Sequence, residues 1–187
     1  MNHIIIEGMD RLGKSTIVRE LSKDFSKVFI NHFGVPKGDD NEEKLHYQIL
    51  SFTREFDYVK RLRSLWHGDN GIALWDRSHL GEAVYGPLYR NSSPEFIHGL
   101  EKLYEDENTF LFLLEAPIEF IANKDDGDSL SKNKKELLEK ERDLFRDAFH
   151  KSKIKNKAMI QVADTEYFKL SETVERIKKV IINARRK

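Results

Sequence analysis

The chain has 187 residues, 39% of them hydrophobic and 34% charged, and its 32 basic side chains balance its 32 acidic ones. That composition suits one globular domain with its own core and excludes a disordered chain. No apolar run approaches the ~18–20 residues of a transmembrane helix, and a formal net charge of zero leaves no whole-molecule field for collecting nucleic acid. Cysteine is absent, which removes disulfides, thiolate zinc sites and a cysteine nucleophile together. The opening Met1-Asn2-His3 before three isoleucines lacks the basic region and long apolar stretch of a signal peptide, so a cytoplasmic location is expected. No two of the seven histidines stand at H-x-x-H or H-x-x-x-H spacing, so no structural metal site is expected.

In chain order, His3–Glu7 predicts a strand buried on both faces, and Ile17, Leu21 and Phe25 mark a helix over 15–25. Val28–Asn31 predicts a second strand, followed by a loop carrying Gly34, Pro36 and Gly38. Between 41 and 67 there is neither proline nor glycine, and Leu45, Ile49, Phe52, Phe56 and Val59 trace one helical stripe. Gly68-Asp69-Asn70-Gly71 punctuates before a third strand, Ile72–Trp75, that ends at Asp76. Ser93-Pro94-Glu95 starts a helix, Phe110–Leu114 predicts a fourth strand, and Leu138, Glu141, Phe145 and Phe149 mark a helix within 132–152. Met159–Val162 predicts a fifth strand, and Leu170, Val174, Ile177 and Ile181 mark the last helix. Apolar runs alternating with helical periods predict one α/β domain over 1–187, a five-stranded parallel sheet flanked by helices.

Between the first strand and first helix stands Gly8-Met9-Asp10-Arg11-Leu12-Gly13-Lys14-Ser15, which is G-x-x-x-x-G-K-[ST] in the setting that motif needs. Its glycines let backbone N–H groups converge on phosphate oxygens, and the helix N-terminus adds its dipole. Lys14 can reach the β- and γ-phosphates of ATP, and the Ser15 hydroxyl can ligate Mg²⁺. Asp76, at the end of an apolar strand, is the matching second carboxylate that can hold Mg²⁺ beside such a loop. Asn123-Lys124-Asp125-Asp126 matches the guanine-reading N-K-x-D, but 117–122 separates it from the fourth strand and no glycine follows Asp76 in a D-x-x-G switch. The acidic run 125–128 lacks the closing Glu of an EF-hand loop, so calcium is set aside.

Glu7 through Thr16, with Asp76-Arg77, resembles the E-G-x-D-R-x-G-K-S-T and Asp-Arg pattern of the thymidylate kinase family of nucleoside monophosphate kinases. The likeness covers most of the chain in layout and is close in sequence over 4–16 and 72–77. It implies a P-loop NTPase fold of the nucleoside-monophosphate-kinase type with a short lid, about 123–135, and ATP and Mg²⁺ as cofactors. It further implies that Gly8, Asp10, Arg11, Gly13, Lys14, Ser15 and Thr16 bind the donor phosphates, that Asp10 contacts the acceptor's 3′-hydroxyl, and that Arg11 supplies charge to the transferring group. The resemblance also assigns the acceptor phosphate to Arg77, with Arg54 as candidate second arginine. The sequence departs from the family where Ser78 replaces an aromatic, and where Leu50 stands for a phenylalanine one turn before Arg54. Those departures leave the acceptor open.

A monophosphate is already an oxyanion at neutral pH and needs arginines, whereas a hydroxyl acceptor needs a carboxylate base. The end of the second strand, Asn31-His32-Phe33-Gly34, carries no acid, which favours a monophosphate, dTMP or a related pyrimidine deoxynucleotide first. Glu82 is the exception: a solvated helix charge as far as composition goes, but a base if the acceptor is a deoxynucleoside or a hydroxymethylated base in DNA. Tyr85, Tyr89 and Trp75 could stack a base or serve the core. A non-catalytic nucleotide switch is the alternative from another class. The partners expected are a nucleotide and, at most, a second copy in a homodimer; no membrane is expected, and nucleic acid enters only with a DNA acceptor.

Overall fold

The computed structural model describes residues 2–66, 71–93, 95–104, 108–124 and 134–184. Gly68–Asn70, Pro94, the acidic run 125–128 with most of the expected lid, and Arg185-Arg186-Lys187 lie outside the described residues.

Five parallel strands form one sheet in the order β2-β3-β1-β4-β5: β1 Asn2–Glu7, β2 Val28–His32, β3 Ile72–Asp76, β4 Asn108–Glu115 and β5 Asn156–Gln161. Among the described residues, seven α-helices accompany it: α1 Lys14–Ser22, α2 Asn41–Leu65, α3 His79–Tyr85, α4 Glu95–Glu101, α5 Ile118–Ala122, α6 Lys135–Lys151 and α7 Leu170–Ala184. The middles of the central strands are apolar on every residue because helices cover both faces. Ile4, Ile5 and Ile6 are fully buried, as are Phe110, Leu111 and Phe112. α1 packs on α7, and α3 on α6. Strand β1 lies between β3 and β4, so the chain order reverses beside it and a crevice opens at the carboxyl ends of the strands.

Helix α2 begins with a reciprocal cap: Asp40 accepts from the Glu43 amide at 2.9 Å, and Glu43 accepts from the Asp39 amide at 2.8 Å. Its stripe drives Phe52, Phe56 and Val59 into the core, where Phe52 and Phe56 join Trp75, His3 and Tyr104 in one aromatic cluster. Trp75 is fully buried and donates to His3 Nδ1 at 3.2 Å, so it serves the core. Burial pushes the His3 imidazole down to about 3, which keeps it a neutral acceptor.

Strand β5 starts at Asn156, three residues before the apolar run that marks it in the sequence. It is an edge strand, half exposed, and its polar start is engaged: Lys157 donates to the carbonyl oxygens of Phe149 at 2.9 Å and Ser152 at 2.6 Å, closing the end of α6.

Candidate active site

The turn after β1 supplies the phosphate loop. Gly8 (φ 140°) and Gly13 (φ 71°) hold backbone conformations that side chains resist. A Cβ on Gly8 would meet the Leu114 carbonyl oxygen at 2.7 Å, and one on Gly13 would meet the Phe168 ring at 2.5 Å. Arg11, between them, is itself left-handed (φ 68°) and donates to the Ile121 carbonyl at 3.2 Å, tying the loop to α5. Lys14 opens α1 and is 5% exposed; its Nζ donates to Gly8 O at 2.9 Å and Met9 O at 2.6 Å. Burial, and then Arg77, push the Lys14 amine down to about 8. Ser15 is exposed and Thr16 half-buried on the next residues of α1.

Beside this loop, Asp76 ends β3 at 2% exposure. One carboxylate oxygen, Oδ2, is 2.8 Å from His32 Nδ1; the other, Oδ1, is buried with no hydrogen-bond partner. A buried carboxylate oxygen lacking a partner next to a lysine-lined phosphate loop, together with the Ser15 hydroxyl, is the hard-oxygen donor type that hydrated Mg²⁺ takes. The residues fit that ion.

Arg77 follows in the left-handed region (φ 66°), and its guanidinium ion-pairs with Asp10, which stands 3.9 Å from Lys14 Nζ. A cavity of ≈ 320 Å³ opens from this pair, floored by Ser78, Gly81, Glu82 and Tyr85 and walled by Phe33 and Pro36. Asp10, Arg11, Arg77, Glu82 and Tyr85 therefore share one cavity. Arg54 does not line it. It borders an adjoining depression on the β2–α2 side that shares Phe33, Gly34, Val35 and Gln48 with the cavity, its side chain is 73% exposed, and it pairs with the adjacent Glu55 at 2.8 Å. Helical spacing from Leu50 points Arg54 outward, since Leu50 itself is 69% exposed.

Glu82 is not a solvated charge. It is 7% exposed and its Oε2 accepts from Arg90 Nη2 at 2.6 Å. Residues eight apart fall out of line on an α-helix, but Gly86–Arg90 is a π-helical turn, and its wider coil swings Arg90 back over Glu82. The same turn brings Tyr89 onto Glu141 of α6 and stacks it 6.1 Å from Tyr85. Burial pushes the Tyr85 phenol well above its ordinary range, and its hydroxyl has no partner.

The sequence assigns no supporting role under the cavity to Glu7, to Arg90 or to the bond between Tyr89 and Glu141. Glu7, fully buried, accepts the amides of Ser78 at 2.7 Å and Leu80 at 3.1 Å, capping α3 beneath the cavity, and burial raises its carboxyl above the ordinary value. Its placement just before the phosphate loop was the available signal. Arg90 and the Tyr89–Glu141 bond depend on the π turn, which Gly86-Pro87 hints at only as a helix irregularity.

No family model matches the chain, and no curated protein matches it in sequence. Solved structures do match in fold. The YorR protein of Bacillus subtilis, described in complex with phosphorylated GDP, superposes with a TM-score of 0.67 at 18% identity, over 99% of this chain and 98% of its own. Thymidylate kinase from Ehrlichia chaffeensis gives 0.67 at 17% identity over 96% and 97%. Deoxyadenosine kinase from M. mycoides gives 0.55 at 16% identity over 97% and 99%. The fold is that of the P-loop kinases. Its form is thymidylate kinase-like, a five-stranded all-parallel sheet flanked by helices.

Proposed function

We propose that this protein is a cytoplasmic nucleoside monophosphate kinase that moves the γ-phosphoryl group of ATP onto the phosphate of a deoxynucleoside monophosphate. The observation that carries the reading is the Asp10–Arg77 ion pair, which joins a lysine-bearing phosphate loop to a nucleoside-sized cavity lined by Arg11 and Arg77.

Phosphoryl transfer asks a protein for positioning and for positive charge on the oxygens of a loose transition state. Lys14 and the loop amides hold the donor's β- and γ-phosphates. Ser15 and Asp76 would hold Mg²⁺, which would supply positive charge against the donor's phosphate oxygens. Arg11, released from the Ile121 carbonyl, reaches the transferring group; an arginine so placed is worth roughly 10³–10⁵ in rate. Arg77 binds the acceptor phosphate and aims its oxygen, and Asp10 accepts the acceptor's 3′-hydroxyl. The product is a nucleoside diphosphate. The family resemblance makes dTMP the default acceptor, and deoxynucleotides are acceptors or products among enzymes of this fold.

A hydroxyl acceptor would need a free carboxylate in the cavity. Both carboxylates that line the cavity are ion-paired, Glu82 with Arg90 at 2.6 Å and Asp10 with Arg77, which supports the monophosphate reading. The test compares ATP consumption with Mg²⁺ for a deoxynucleoside monophosphate and for its own nucleoside. Consumption with the monophosphate alone is expected; consumption with the nucleoside alone would overturn the proposal.

A further inference from the structure

Among the described residues, eight buried side-chain polar atoms have no hydrogen-bond partner, and four of them belong to residues that line the cavity: Glu82 Oε1, Arg90 Nε, the Tyr85 hydroxyl and Arg77 Nε. Buried polar groups are ordinarily paired, so such a cluster in a nucleoside-sized cavity marks where a polar ligand edge is received. Glu82 and Arg90 satisfy each other through Oε2 and Nη2, with side chains 6% and 11% exposed. The pair is therefore neutral as a unit and still holds one open acceptor and one open donor. Gly86 makes room for it: a Cβ there would stand 3.0 Å from Glu82 Oε1 and 2.5 Å from Ser92 Oγ. In the same cavity, Phe33 and Pro36 offer apolar surface for a ring, and Phe33 is itself braced by Phe52 at 5.5 Å and Trp75 at 6.1 Å.

We infer that the Glu82–Arg90 couple reads the base of the acceptor nucleotide, and that it selects a base bearing an exocyclic amino group over thymine. This rests on the monophosphate kinase reading and revises its default acceptor. A carboxylate oxygen only accepts hydrogen bonds. An exocyclic amino group offers it an N–H at the rim of the base, while the neighbouring ring nitrogen or carbonyl takes an N–H from Arg90; cytosine, adenine and guanine each present that combination. Thymine offers a single N–H lodged between two carbonyl oxygens. A carboxylate facing that N–H also faces both carbonyls, and like partial charges oppose it in a poorly solvated slot. The neutral pairing with Arg90 is what lets a carboxylate stay buried here without a ligand.

The experiment measures calorimetric Kd and steady-state kinetics for dCMP, dGMP, dAMP and dTMP on the wild type and on Glu82→Gln. In the wild type, at least one amino-bearing nucleotide is expected to bind about tenfold or more tighter than dTMP, the difference appearing in KM more than in kcat because the base lies away from the reacting phosphates. The amide of Glu82→Gln can donate to a carbonyl as well as accept, so that ratio should fall several-fold toward dTMP. Tightest binding of dTMP by the wild type, or a ratio unmoved by Glu82→Gln, would overturn the base assignment. Because binding is read separately from turnover, selective binding without transfer would leave the base assignment standing and overturn the kinase reading. Transfer with dTMP preferred would do the reverse, and failure of every monophosphate to bind would overturn both.

Discussion

The guanidinium of Arg77 closes on the carboxylate of Asp10 across the mouth of the phosphate loop, although the two residues are 67 positions apart in sequence. Asp10 also stands 3.9 Å from Lys14 Nζ, so one carboxylate links the buried lysine of the phosphate loop with the arginine that lines the cavity. This geometry rests on the register of β1 against β3, which sets Ile6 beside Asp76 and lets the Arg77 amide donate to Ile6 O at 3.0 Å.

Asp10 is expected to hold the acceptor's 3′-hydroxyl. A 3′-deoxy acceptor should lose roughly 10–100-fold in kcat/KM with the wild type, the value of a hydrogen bond to a charged group. Asp10→Asn should lose most of that discrimination. Steady-state kinetics with the paired acceptors measures it, and an undiminished penalty in the variant would remove Asp10 from the sugar site.

Arg77 combines an ion-paired charge in the cavity with a backbone that only glycine adopts freely, φ 66°. Arg77→Ala and Arg77→Gly both remove the ion pair, so the difference between them isolates the backbone. The glycine variant should be about 1 kcal/mol more stable than the alanine variant by urea denaturation. Both should raise KM for the monophosphate acceptor sharply while leaving ATP affinity near the wild-type value.

Lys14 carries a pH signature. Its amine is pushed down to about 8 by burial and then by Arg77, against an ordinary value of 10.5. Donor phosphates favour the charged form, so between pH 8 and 10.5 ATP binding should take up a proton at this residue. ATP affinity should then fall as pH rises above about 8, by up to about tenfold per unit, with no contribution from this group at pH 7. Calorimetry in buffers of different ionisation enthalpy reads the uptake directly. Lys14→Ala should lose the uptake and transfer together.

Glu7 is the hidden support. Glu7→Ala would strand the Ser78 and Leu80 amides beneath the cavity, and a loss of about 2–3 kcal/mol in unfolding free energy is expected. Glu7→Gln keeps the acceptor oxygen and should restore much of it. Equal losses in both variants would show that the carboxylate does more than cap α3.

The strands and the phosphate loop were legible because their signals are local. Ile4-Ile5-Ile6 and Phe110–Leu114 are apolar on every residue, and a sheet covered on both faces demands that. The loop is recognisable from its glycines and lysine because phosphate binding fixes their spacing. Residues whose placement depends on helix phase or on distant partners were less legible. Arg54 fits a helical count from Leu50, but α2 turns both toward solvent. Glu82 looked like a surface charge because its partner, Arg90, comes into line only through the π-helical turn over Gly86–Arg90. The His32–Asp76 bond likewise joins the ends of two strands whose adjacency comes from sheet order rather than chain order.

The central claim is that phosphate, not hydroxyl, accepts the transferred group. Phosphorus NMR of a reaction containing ATP, Mg²⁺ and the four deoxynucleoside monophosphates, with their free nucleosides present at equal concentration, tests it in one spectrum. The account predicts paired resonances of a deoxynucleoside diphosphate growing as ATP is converted to ADP, with no monoester formed from the nucleosides. Growth of the monoester resonances, with ADP the only diphosphate formed, would contradict it.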